Sequence, residues 1–408
     1  MLPGCIVASV STSRFRDLYG TEPSVSVRSP GRVNLIGEHT DYSLLPVMPL
    51  AIDRAMHIEA GAGRLVEAHS LSETDAISYP PDAPPRVEGW HRYLVAAVSV
   101  LGRTDLGVRL LVDGDLPSTG GLSSSSAFTV GVIAALDRLW QLGLGSQRYP
   151  DLAIAAERSL GVEGGAMDQT VISLARAGAA LRIDFDPLRT RVVPIPEHVK
   201  MVAAYSGTAA PKGGSANRAY NTRVVAARAA ALLLGREVEV DLGSTPTLSR
   251  VVESGPDLIE NLPEVSSASE IADALAVDPL LMTGLTVGTF PADAPLPVRA
   301  VASHVLSEAR RVDEAEAALV AGDLDGLGSL LDRSHASLVG FGASSVRLDA
   351  LVAAMRDAGA RGARLTGAGF GGYAIAVCSE DRQADVLAAA EGATGGPAFP
   401  VVASDGVG

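Results

Sequence analysis

The sequence predicts two α+β domains that meet near residue 195. Three observations lead there. The first half alternates short strand-like and helix-like segments. Beyond residue 205 the chain turns to long helical periodicities. Near its end, two short apolar runs flank a glycine-rich turn. With 408 residues, 47% hydrophobic and 20% charged, the chain can bury the cores of two or three ordinary domains.

Taken in order, strands are expected at 33–36, 51–60 and 106–112. A helix is expected at 90–101. Another runs over 125–142, where Phe128, Val132, Leu136 and Leu139 recur on one face. YPPDAPP at 79–85 is a loop, since proline removes donors and fixes φ. A strand at 201–205 is followed by helices at 220–234, 297–320 and 345–358, with Gly359 suited to cap the last. Strands at 363–366 and 372–377 close the pattern, and no repeat of fixed period is present.

Only 4% of residues are aromatic, so the core is built from Ala, Val, Leu and Ile. The net charge of −14 argues against nucleic-acid or anionic-membrane partners but leaves room for a small anionic ligand. Cys5 and Cys378 lack metal-site spacing, which fits a reducing compartment without a zinc site. No signal peptide or membrane anchor is read at the start, so a cytoplasmic location is expected. Lys200 and Lys212 are the chain's two lysines, and neither sits in a Walker A loop. If ATP is handled, another route is needed.

Three segments concentrate chemistry. Residues 29–42, SPGRVNLIGEHTDY, crowd Arg32, Asn34, Glu38, His39, Thr40, Asp41 and Tyr42 around a short apolar core. Residues 115–128, DLPSTGGLSSSSAF, run a glycine turn into a serine-rich helix start. Gly120 and Gly121 permit close backbone approach, serine hydroxyls cap the helix and reach phosphate or Mg²⁺, and the helix N-terminus adds amide donors. An ordinary capped helix after a flexible loop has the same look. Residues 364–377, RLTGAGFGGYAIAV, place Gly367, Gly369, Gly371 and Gly372 around one Phe. A hairpin needs fewer glycines, so this backbone passes very close to something.

The three together resemble the motif layout of the GHMP kinases, and GRVNLIGEHTDY is similar to the galactokinase form of the first motif. WHRY (90–93), GVEGGAMDQT (161–170), LRIDFDPL (181–188), AYNTR (219–223) and SHASL (334–338) resemble the same family in the same order. The resemblance spans residues 12–378. It implies a ribosomal S5-like domain over residues 1–195, with the sugar motif and phosphate loop, and a ferredoxin-like domain over 196–408 with the third motif. The site would lie between them. It further implies direct in-line transfer from ATP to the anomeric hydroxyl of a monosaccharide, with D-galactose the expected substrate and Mg²⁺ the cofactor. The partners would be small molecules, and the chain a monomer or weak homo-oligomer.

By this match Arg32 and Asp168 form the catalytic pair. Asp168 would take or orient the anomeric proton, and a cation beside a carboxylate favours its ionised form. Glu38, His39, Asp41, Gly165 and Tyr220 would line the sugar. Asp41 is expected at ring hydroxyls 3 and 4, with Glu38 and His39 near position 6; carboxylates accept and imidazole can do either. Trp90 would lie near adenine. Gly120, Gly121, Leu122, Ser123, Ser124 and Ser125 would hold the nucleotide, and Ser124 and Glu157 the Mg²⁺. Taken without the resemblance, Arg32 and Asp168 could be a structural salt bridge, Glu157 a solvated helix charge and Trp90 core packing. His335 and Ser337 read as structural residues facing the third motif.

Some positions depart from the family. Ser43-Leu44-Leu45-Pro46 replaces a polar, flexible turn beside the sugar, so a stiffer loop is expected. Thr119 stands where a glycine is usual, Glu163 where a proline is, and the segment 206–218 is longer and carries Lys212. Two other readings stay open. One is the same chemistry on another aldose, an N-acetylhexosamine or a pentose. The other is a non-catalytic sugar- and ATP-binding sensor, against which the intact serine run at 123–127 weighs.

Overall fold

The computed structural model describes residues 12–117, 120–161, 165–209, 214–243, 245–283 and 290–408. Five strands form the first sheet, in the order β1 (Val25–Ile36), β2 (Met48–Gly63), β5 (Gly107–Gly114), β3 (Val66–Ser70), β4 (Ile77–Tyr79). The β1–β2 register slips between Pro30 and Arg32 and again between Asn34 and Ile36. Proline has no N–H for the ladder, and a bulge re-aims the strand just before Arg32. Helices α2 (Ser124–Trp140) and α4 (Met167–Leu174) pack on the sheet, and α1 (His91–Ser99) and α3 (Tyr149–Ser159) pack against α2. α2 is buried from Ser126 to Asp137, because small and aliphatic residues let it run between sheet and neighbouring helices.

The second sheet is antiparallel, in the order β11 (Ala398–Val401), β8 (Lys200–Tyr205), β10 (Tyr373–Cys378), β9 (Gly362–Thr366). Its side chains alternate between two cores. Met201, Ala203, Tyr373, Ile375 and Val377 join the core of the first sheet. Val202, Ala204, Leu365, Ala374 and Ala376 join a second core with α5 (Gly214–Glu237), α6 (Val298–Ala321) and α8 (Val346–Asp357). A sheet buried on both faces needs unbroken apolar runs, as β8 and β10 have. Helix α7 (Leu324–Phe341) packs beside β9, and α9 (Gln383–Thr394) beside β8. The chain end then returns to the first sheet: Arg28 N–H donates to Gly408 O at 2.8 Å and Gly408 N–H to Arg28 O at 3.0 Å.

The strands expected at 201–205, 363–366 and 372–377 and the helices at 297–320 and 345–358 lie within one residue of those observed. β1 begins well before residue 33, because Arg28 is paired with the chain end and Ser29 is covered by α2. α5 begins at Gly214 rather than 220. β3, β4 and the hairpin β6 (Ala179–Phe185)–β7 (Leu188–Pro194) are not anticipated, and β4 takes Tyr79 from the expected loop. Gly359, with φ +103°, lies one residue past the cap of α8. No described helix is long and apolar enough to cross a membrane.

Candidate active site

The first two motifs meet at the start of α4. Arg32 is buried and grips Asp168 at two points, Nε to Oδ1 at 2.8 Å and Nη2 to Oδ2 at 3.0 Å. Its Nη1 donates to the carbonyl of Gly121, and its backbone N–H to that of Leu122 at 3.2 Å. Asp168 stands in the first turn of α4, where the helix dipole favours an anion. The Ser123 hydroxyl also donates to Asp168 Oδ2. Ser123, with φ +59°, commits its hydroxyl to Asp168 and makes no side-chain cap to the helix amides. Leu122 buries its side chain in the first core, which leaves only its backbone to a ligand. Ser124 is half-buried and Ser125 exposed at the start of α2, where first-turn amides have no intrahelical partner.

The turn after β1 forms the adjoining wall. Asp41 opens a single 3-10 turn, Asp41–Ser43, and its Oδ1 accepts from Tyr42 N–H at 3.0 Å. A Cβ on Gly165 would lie 1.6 Å from Asp41 Oδ2, so only glycine leaves room for this carboxylate. Burial, and then the facing Asp168, push the Asp41 carboxyl up to about 7. The Tyr220 ring lies 5.7 Å from His39 and 5.8 Å from Tyr42.

Glu38 and His39, expected beside the sugar, are engaged first by protein. Glu38 is 2% exposed; Oε2 accepts from Asn34 Nδ2 at 2.9 Å and Oε1 from Gly367 N–H at 2.6 Å. His39 sits 3.0 Å from Ala368 O through Nε2 and 3.4 Å from Tyr42 Oη through Nδ1. Burial pushes the imidazole down to about 3, so the ring is neutral. The network assigns Nε2–H as donor and Nδ1 as acceptor. The reason is packing: residues 34–39 lie directly on the third motif.

Leu45, in the departing loop, is buried in the second core, while Leu44 is 36% exposed with φ +58°. Thr119, Glu163 and Lys212 lie outside the described residues.

The third motif's close approach is to the second. A Cβ on Gly372 would lie 2.3 Å from Gly120 O, so the two glycine loops touch backbone to backbone. Trp90 precedes α1 and packs edge-on against Phe128 of α2, centroids 5.8 Å apart, with its Nε1 buried and without a hydrogen-bond partner. Glu157 is buried on α3 rather than solvated. Gln169 Nε2 donates to its Oε2 at 2.8 Å, and the Ser126 hydroxyl also bonds the carboxylate. Burial, with Asp168 adding to it, raises its carboxyl to about 7. A buried carboxylate beside a serine hydroxyl offers hard oxygen donors of the kind Mg²⁺ takes, so Glu157 fits the ion.

Sequence reasoning missed His304, Glu308, Arg311 and Arg364, all buried behind the first motif. Polar residues at 304, 308 and 311 share a face of α6 with Val301, Val305 and Val312, and charges on such a buried face were the available signal. His335 Nδ1 accepts from Leu365 N–H at 3.4 Å, below the third motif, and Ser337 Oγ lies 2.8 Å from His304 Nδ1.

Two sheets sharing a core, a glycine–serine loop at a helix start and an Arg–Asp pair beside it define the GHMP class of kinases. The models of the GHMP kinase N-terminal domain (residues 92–176) and C-terminal domain (315–395) both match. The galactokinase galactose-binding signature matches residues 13–62, and the chain belongs to the galactokinase family. It is 36% identical to a galactokinase of Roseiflexus sp. (strain RS-1), over 97% of this chain and 95% of that one. It is 30% identical to a galactokinase of Pyrococcus furiosus, over 88% and 90%. The Lactococcus lactis galactokinase complexed with galactose superposes with a TM-score of 0.80 at 27% identity, over 98% and 99% of the two chains. The chain is a sugar kinase with ATP as its nucleotide substrate.

Proposed function

We propose that the chain transfers the γ-phosphoryl group of ATP to the anomeric hydroxyl of D-galactose. One observation carries this reading: the setting of Asp168. It is gripped by Arg32, tied to the nucleotide loop through Ser123, and coupled to Asp41 behind Gly165. Asp41 then accepts from ring hydroxyls 3 and 4, Tyr220 and Gly165 close the wall, and Glu38 and His39, occupied by protein partners, support the turn behind position 6. Asp168 Oδ1 keeps a lone pair for the anomeric O–H. That proton passes to Asp168 as the sugar oxygen attacks the γ-phosphorus, and the bond from phosphorus to the bridging oxygen of ADP breaks. Arg32 retains N–H groups for charge on the transferring phosphoryl.

Gly120, Gly121 and the α2 amides, with the backbone of Leu122 and the hydroxyls of Ser123, Ser124 and Ser125, cradle the triphosphate, and Trp90 flanks adenine. Ser124 and Glu157 would hold Mg²⁺, whose chemistry when bound is neutralisation of phosphate charge. The test is ADP release from Mg·ATP across free sugars, including N-acetylhexosamines and pentoses, with ³¹P detection of the product. Galactose is expected to respond and to give an anomeric phosphate. A response confined to another aldose would overturn the substrate, and sugar binding without ADP release would overturn catalysis.

A further inference from the structure

We infer that Glu308 and His304, on α6, are positioning residues for the sugar: they fix the backbone of Gly37 and Glu38 and thereby hold Asp41 in place. The inference rests on the assignment of Asp41 to the sugar.

The backbone they hold is unusual. Gly37 has φ +97° and His39 φ +60°, two left-handed residues within three. A non-glycine residue in this region is strained and persists only where surroundings over-determine it. α6 supplies that restraint. Gly37 N–H donates to Glu308 Oε1 at 3.0 Å. His304 Nε2 lies 3.0 Å from Glu38 O. Burial takes the His304 imidazole down to about 4, so the ring is neutral. Nε2–H then donates to Glu38 O while Nδ1 accepts from the Ser337 hydroxyl, 2.8 Å away.

Glu308 is itself held on every side. Its Oε1 accepts from Ser334 Oγ at 2.7 Å and its Oε2 from Arg311 Nε at 2.6 Å. Burial would raise its carboxyl, but the Arg364 and Arg311 guanidiniums and the Ser334 hydroxyl hold it well below the usual carboxylate range. Arg364 completes the clamp, with Nη1 3.2 Å from Asn34 O and 3.0 Å from Leu35 O. Backbone groups of Asn34, Leu35, Gly37 and Glu38 are thus answered by side chains from the second half of the chain, while Thr40 Oγ1 ties Gly37 O and Pro46 O within the turn. Among the described hydrogen bonds, none of Glu308 or His304 reaches the nucleotide loop.

A buried ion pair could serve stability alone. Stability alone would weaken both substrates together, whereas backbone contacts made at residues 37 and 38 act first on the sugar turn. The experiment compares Glu308→Gln and Ser334→Ala with the parent. It measures galactose and ATP affinities by calorimetry and kcat at saturation. The Gln amide keeps the volume but cannot accept from both Gly37 and Arg311. Glu308→Gln is expected to weaken galactose roughly 10–50-fold, with ATP affinity within about twofold and kcat within about threefold. Ser334→Ala moves galactose affinity the same way by roughly 2–5-fold, and it decides the question if Glu308→Gln does not fold.

In an Asp41→Asn background, Glu308→Gln is expected to add nothing to the loss of galactose affinity. Equal weakening of both substrates, lost kcat with intact affinity, or full additivity with Asp41→Asn would overturn the inference. Wild-type galactose affinity in Asp41→Asn alone would instead overturn the Asp41 assignment. The sugar-against-ATP split in Glu308→Gln would then still decide whether the turn is positioned from α6.

Discussion

Asp168 accepts from Arg32 at two points and from Ser123 at a third, so its carboxylate has one orientation before substrate arrives. Asp168→Asn keeps the shape but removes the proton acceptor and turns an amide N–H toward a donor. Turnover is expected to fall by roughly 10²–10⁴ while circular dichroism stays that of the parent. A near-parental kcat would sink the assigned role. At this scale the sequence was informative where chemistry is compressed. Arg32, Asp41 and Asp168 stand in short segments whose order along the chain matches the family's motifs. Glu308 and His304 are single polar residues on a long helix and resemble a solvated stripe until their burial is known. Glu38 shows the opposite failure: its type was legible, but not its engagement by Gly367.

Between elements, the contact that matters most is the third motif against the second. Tyr373 packs on Gly120 from one side while Gly372 approaches its carbonyl from the other. Gly372→Ala would put a Cβ 2.3 Å from Gly120 O, at φ +83°. The loops must part, and the nucleotide loop moves. KM for ATP is expected to rise about tenfold or more with a smaller change for the sugar, and stability to fall by about 1–3 kcal/mol. Steady-state kinetics with each substrate varied in turn checks this, and an unchanged KM for ATP would show that the contact does not shape the loop. Long helices were legible because each carries its own periodicity. β3, β4 and the β6–β7 hairpin were not, because short strands take their identity from partners far away in sequence.

Across the whole molecule, Asp41 links the site to stability. Its carboxyl is raised from 3.8 to about 7 in the fold. Below the unfolded value both states are protonated and nothing changes. As pH rises toward 7, the unfolded chain loses the proton first, so folding becomes less favourable, and the penalty is complete above that. Allowing for solvent at this partly exposed group, it amounts to about 1–3 kcal/mol. Asp41→Asn is therefore expected to melt about 2–3 °C higher than the parent at pH 8 without sugar, the gap closing toward pH 4. Scanning calorimetry at both ends checks it, and a gap that does not vary with pH would refute the linkage.

The amino-acid sequence by itself determined the class of fold, the family resemblance and the residue types of the site, since these reside in local pattern and short motifs. The tertiary structure decided which polar groups remain open to a ligand. Glu38 and His39 are occupied because residues 34–39 pack on residues 366–368. Glu308 governs the turn because α6, more than two hundred residues onward, supplies the acceptor for Gly37 N–H just past the end of β1. The physical reason is common to all of these. A buried polar group must find a partner, and local sequence does not say which distant segment will bring it.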